Sequence, residues 1–139
     1  IDELSVPTIE IILGKNSAGD EVTATCNLVP IVLGDVPALF VQFYICVSDP
    51  VSEYKIDTIN EYIKAQNEMF MIGNILNFNN SVCAKYTIYL YPDEKIDKPM
   101  FMRSLDVFVY QANILAKKIS ELVDGTKTVQ QQIESGTLY

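Results

Sequence analysis

Cys26, Cys46 and Cys83 are the most nucleophilic side chains of the sequence, and Asp93, Glu94 and Asp97 are its densest group of carboxylates. A thiol becomes a catalyst when a neighbouring base or cation draws it to the thiolate, and it becomes a metal ligand when others share its site. The three cysteines are far apart, contain no CxxC and have no histidine to work with, because the chain has none. That absence also removes Ser-His-Asp and Cys-His constellations and imidazole metal ligands. Three thiols without histidine make a poor zinc set, and their wide, odd-numbered spacing fits reduced, buried or half-buried cysteines of a cytoplasmic protein. Lys95 and Lys98 interleave the carboxylates of 93–97, the pattern of a solvated loop rather than of convergent oxygens around Mg²⁺ or Ca²⁺. Nothing singles out an acid/base pair of carboxylates, and no GxGxxG, GxxxxGK[ST] or EF-hand loop is present. No cofactor, metal or catalytic residue is expected.

With 139 residues, 49 % of them hydrophobic and 20 % charged, the chain has the length and composition of one folded domain. No apolar run reaches the roughly 18 residues needed to span a membrane. No signal-peptide pattern opens the chain, yet it starts at Ile1, so a trimmed start or a removed leader stays open. The net charge of −8 disfavours nucleic acid, whose phosphates need clustered Lys and Arg. Between Lys15 and Lys55 there is no basic residue, while Asp20, Glu21, Asp35, Asp49 and Glu53 fall there. Solubility explains such a surface, and so does a basic partner.

The longest element runs over 99–125. Phe101, Leu105, Phe108, Ala112, Leu115, Ile119 and Leu122 recur at alternating steps of four and three, one stripe of a helix. Met102, Val109, Ala116 and Val123 widen it, as on a helix lying against a sheet. Asp97 is the expected N-cap, with Pro99 in the first turn, Lys117 and Lys118 near the C-terminal dipole, and Gly125 as the left-handed stop.

Before it, residues 8–13 (TIEIIL) and 21–28 (EVTATCNL) alternate as two strands around a turn at 14–20. Pro30, Gly34 and Pro37 mark a loop in which 31–33 has the option of a short pairing. The run 38–47 (ALFVQFYICV) is apolar on both faces, as in a central strand. A helix follows over 52–68, on Ile56, Ile59 and Ile63, capped by Ser52 or Asp57, with Thr58 and Glu61 in capping-box spacing. Strands at 69–78 and 82–91 flank the Asn79-Asn80 turn, with Gly73 marking a bulge or a close backbone approach. A short helix over 128–134 closes the chain. The order β-β-β-α-β-β-α-α gives an α+β fold, an antiparallel sheet with helices packed on one face.

Two surfaces stand out as sites for protein binding. Phe40, Tyr44, Tyr89 and Tyr91 fall on the strand faces opposite the helix-covered core, with Met69, Met71 and Ile75 on the matching side. An open sheet face of this kind is either an apolar docking patch or a surface whose tyrosines tolerate water. Val107, Tyr110 and Ile114 lie on the far side of the long helix. Their cover is either the short C-terminal helix, through Val129 and Ile133, or another subunit.

The strand LFVQFYICVSDP at 39–50, Asn67 at the first helix's end, MFMIGNILNF at 69–78, the DG at 124–125 and TVQQQIESG at 128–136 together resemble the YbjN-like family of bacterial proteins. That family is similar in fold to the type III secretion chaperones. The resemblance covers 8–136. It implies a curved antiparallel sheet with helices against one side, in a class of small, acidic, often dimeric proteins that bind extended segments of partners without enzymatic activity. The expectation is therefore a cytoplasmic, non-enzymatic interaction module whose partner is a protein, itself included as a homodimer. The alternative is a small-ligand sensor with a pocket between sheet and long helix.

Overall fold

The computed structural model describes residues 7–15, 21–69 and 72–136. The elements are β1 (Thr8–Lys15), β2 (Glu21–Leu33), β3 (Val36–Cys46), α1 (Glu53–Asn67), β4 (Asn74–Phe78), β5 (Ser81–Leu90), α2 (Lys98–Asp124) and α3 (Val129–Glu134). All strand pairings are antiparallel, in the order β1-β2-β3-β5-β4, so the fold is α+β with β3 central. The crossover is made by α1 and β4, which pass over β5's place and leave β5 to pair with β3.

Alternation decides the faces. Cys26 lies opposite Phe43, Val41 opposite Ile88, Phe43 opposite Tyr86 and Ile45 opposite Ala84. These side chains share one face, and the helices cover it. Phe108, Ala112, Leu115, Ile119 and Leu122 of α2 pack there with Ile59, Tyr62 and Ile63 of α1. Phe101 and Leu105 complete the stripe half-buried, while Met102 and Val123 at its margins stay exposed. An aromatic chain, Phe101–Phe43–Tyr86–Phe108, joins helix to sheet at centroid spacings of 5.7–6.2 Å.

The caps of α2 are as the sequence predicts: Asp97 accepts from Met100 N, and Gly125 ends the helix at φ +74°. Lys117 and Lys118 lie near the C-terminal end of α2, as expected, but ahead of its last turn. Lys118 instead donates from Nζ to the carbonyls of Gln132 and Gly136, tying α3 to α2. Thr128 caps α3 in a capping box with Gln131. Thr58 and Glu61 form no such box, because α1 already begins at Glu53 and both sit inside it.

Two strand boundaries are corrected. β2 and β3 run on through the expected loop to a turn at Gly34-Asp35, with Pro30 opposite Leu39. Pro30 lies beyond the described pairing with β1, which ends where Leu28 N donates to Pro7 O, so its missing N–H costs no bond among the described residues. β4 begins at Asn74, not at 69. Met69 belongs to the turn after α1, and Gly73 (φ +81°) presses against the Lys85 carbonyl, where a Cβ would clash with the oxygen. Asn79 and Asn80, at φ 50° and 67°, form the left-handed turn expected of them. The turn expected over 14–20 falls mostly on 16–20, outside the described residues, as does Met71.

Candidate functional site

The sheet face turned away from the helices carries three of the four aromatics as one group. Phe40 lies opposite Tyr89 in the β3–β5 register, edge-on at 6.3 Å, and Tyr89 meets Tyr91 edge-on at 6.1 Å. Tyr89 is 60 % exposed and Tyr91, just past the end of β5, is exposed as well. Tyr44 stands apart: its ring lies under the Lys85 ammonium at 5.5 Å and its hydroxyl donates to Gln42 Oε1 at 3.1 Å. Ile75 is corrected. It pairs with Ala84 on the helix-covered face and is 2 % exposed, because the Asn79-Asn80 turn sets it directly opposite Ala84 and paired residues share a face.

On the outer side of α2, Val107 and Tyr110 are exposed, Tyr110 at 57 %. Ile114 turns inward and packs against the core. The short helix α3 covers this side only in part. A groove of about 370 Å³ between the two helices is lined by Tyr110, Ile114, Lys118, Gln132 and Ser135. Val129 reaches the core, and Ile133 is half-buried.

The most exposed apolar element is β1, which the sequence marks as a strand but not as a site. All eight of its residues are exposed. Ile9 and Ile11 fall on the helix side, Ile12 on the other, at 54 %, 37 % and 66 % exposure. Leu13 sits in the irregularity between Ile12 and Gly14 and is exposed too. The helix-covered core extends as far as Ala24 and Cys26 of β2 and leaves β1 exposed. Three consecutive large apolar residues, Ile11-Ile12-Leu13, are the signal that was available, since a strand with one wet face has no use for them in both phases. Next to it, a groove of about 920 Å³ runs between Leu13, Gly14 and Lys15 of β1, Val47–Ser52 after β3, and Val109, Asn113, Ala116 and Ser120 of α2.

The groups with chemistry in them have structural employment. Asp97 caps α2, and Glu94 Oε2 accepts from Tyr91 N at 3.0 Å. No cluster of three or more metal-ligating side chains occurs among the described residues. Glu121 holds Lys127 at 2.9 Å and accepts from Gln132 Nε2, and the Lys127 hydrogen bond holds its carboxyl below the usual value. Each helix also buries a glutamine: Gln66, Gln111 and Gln132. The amide atoms of Gln66 and Gln111 and the hydroxyl of Tyr62 have no hydrogen-bond partner among the described residues. Burial pushes the Tyr62 phenol well above its ordinary pKa, with the Glu121 carboxylate adding to the shift, so it stays neutral.

All three cysteines lie in strands. Cys26 is buried in the helix-covered core, which pushes its thiol up. Cys46 and Cys83 lie opposite each other on β3 and β5, with sulfurs 2.8 Å apart. Cys83 is buried, but Cys46 is exposed, against the expectation of three buried or half-buried thiols, because it is the last residue of β3.

No helix among the described residues is long and apolar enough to cross a membrane. No protein-family model, curated protein or solved structure matches the chain.

Proposed function

We propose that the chain is a non-enzymatic protein-interaction module of the cytoplasm that takes an extended segment of a partner along the Ile9–Lys15 edge of β1, which no strand pairs among the described residues. The observation that carries this is β1 itself: an edge strand of eight exposed residues with Ile9, Ile11, Ile12 and Leu13 uncovered. Natural sheets blunt such edges with charge, proline or a covering element, because a bare row of N–H and C=O groups templates another strand. β1 carries only Glu10 and, at its end, Lys15. A segment added to it gains main-chain hydrogen bonds for affinity and alternate side-chain contacts for specificity. The 920 Å³ groove continues from Leu13 and gives the end of such a segment a place to set a side chain. With a net charge of −8 on the chain, basic residues flanking the segment speed the encounter. Support also comes from the YbjN-like resemblance, whose chaperone relatives bind extended partner segments.

The test is selection of random peptides on the immobilised chain, with counter-selection on the Ile11→Lys/Ile12→Lys variant. Enriched peptides are expected to alternate apolar residues, to lack proline in the docked stretch and to lose binding to the variant. Peptides that bind both proteins equally place the site elsewhere, on Phe40, Tyr89 and Tyr91 or on Val107 and Tyr110. Self-association through the outer side of α2 is separated by light scattering of wild type beside Tyr110→Asp, where a dimer lost in the variant identifies a second copy as the occupant.

The open groove favours a second function, a small-ligand sensor. A thermal-shift screen distinguishes it, since a ligand bound only by the folded chain raises the melting temperature with its concentration.

A further inference from the structure

We propose that Cys46 and Cys83 form a reversible dithiol site, which closes to an intramolecular disulfide by exchange with a low-molecular-weight disulfide. The register carries the proposal. Cys46 and Cys83 are direct partners in the β3–β5 ladder. The next pair is hydrogen-bonded, since Val47 N donates to Val82 O at 2.8 Å. Bonding alternates along an antiparallel ladder, so Cys46 and Cys83 occupy a non-hydrogen-bonded pair, where Cα atoms stand about 4.5 Å apart and side chains meet most closely. That separation lies inside the range a disulfide spans, about 4.4–6.8 Å. The two thiols, each free, already touch through an S–H···S contact of 2.8 Å.

The surroundings give the two sulfurs different roles. Cys46 ends β3 and is open to solvent, so a small disulfide reaches it. Cys83 sits inside the sheet between β3 and β4, opposite Leu76 on its other side, and is 2 % exposed. Burial and the contact with Cys46 push the Cys83 thiol up to about 12, which keeps it from attacking first. Two small residues that merely filled space would not need the outer one in water.

The exchange balances as follows. Cys46 releases its proton to water, and its thiolate attacks one sulfur of RSSR, forming Cys46–S–S–R and expelling RS⁻, which takes up a proton. Cys83 then passes its proton to the second departing RS⁻ as its sulfur attacks Cys46 Sγ and breaks the S–S bond between Cys46 Sγ and the SR group. Two electrons move from the protein dithiol to RSSR, which leaves as two RSH. The new bond closes the segment between the cysteines, 37 positions apart and containing α1 and β4, so the oxidised chain holds that half of the molecule together against unfolding. Cys26 lies across the sheet, among the helices, and takes no part.

The experiment equilibrates the full chain with glutathione and oxidised glutathione at a series of ratios. It then quenches, counts thiols after denaturation, and maps linked peptides by mass. The expected result is a fall from three free thiols to one. It comes with a loss of two hydrogens, no retained glutathione, and one linked peptide pair holding Cys46 and Cys83. In Cys83→Ser, or in Cys83→Ala should the serine not fold, Cys46 is expected to keep one glutathione, and in Cys46→Ser neither product forms. The proposal is overturned if the wild type keeps all three thiols at every ratio. A stable Cys46 adduct without closure, or a linked peptide containing Cys26, also overturns it. The wild-type map decides the matter even if none of the variants folds.

Discussion

The two edges of the sheet are finished in opposite ways. At the β4 edge, the Asn67 side chain behaves like a neighbouring strand: its Nδ2 donates to the Ile75 carbonyl at 2.8 Å and its Oδ1 accepts from Ile75 N at 2.6 Å. Asn60 adds a bond from Asn77 Nδ2, and α1 lies alongside. The β4 strand is only five residues long. At the other edge, β1 is longer, apolar and exposed throughout. A chain that plugs one edge with an asparagine from its own helix has the means to plug the other. The difference is what the proposed docking role of β1 rests on, because the hazard of an open edge is the same at both ends of a sheet.

The largest way to break the contrast is Gly73→Ala. A methyl group at this position meets the Lys85 carbonyl, and the backbone is left-handed there, so β4 has to move off β5. A loss of about 3 kcal/mol in urea unfolding is expected. A loss of under about 1 kcal/mol contradicts the close approach. Asn67→Ala comes next. It leaves both polar groups of the Ile75 peptide without their partner and is expected to cost about 2 kcal/mol by the same measurement. It also makes the two edges alike, so light scattering is expected to show self-association through β4 that the wild type lacks.

Much of the plugged side was legible before any coordinates. The heptad-like steps of Phe101 to Leu122, the Asp97 and Gly125 caps, and the Asn79-Asn80 turn are local signals, each set within a few residues. The β3–β5 pairing was not, because those strands are separated by α1 and β4 and no local pattern reports a crossover. With that pairing unseen, Cys46 and Cys83 read as scattered thiols, whereas the face of Ile75 follows locally from the Asn79-Asn80 turn that sets it opposite Ala84. The exposure of β1 was hidden for a related reason: alternation gives a strand's faces, but whether a helix reaches over it depends on where the helices land. Phe40, Tyr89 and Tyr91 were placed on the open face by alternation alone, while the proximity of Tyr44 to Lys85 needed the register.

Smaller effects sharpen the contrast. Gln111→Leu removes a buried amide that has no partner among the described residues, from the covered half of the molecule. A gain of about 1 kcal/mol is expected in urea unfolding, with no change at β1. Ile12→Lys is expected to change stability by less than about 0.5 kcal/mol, because the side chain is already in water. The same variant is expected to lose the affinity for selected peptides, which separates a docking role from a structural one.

The most direct measurement is amide hydrogen exchange, followed by mass spectrometry, on the chain with and without a peptide from the selection. The account predicts slowed exchange over 9–15, with no change over 74–78, where Asn67 already occupies the edge. Protection that appears at 74–78 or on α2, with 9–15 unchanged, contradicts it.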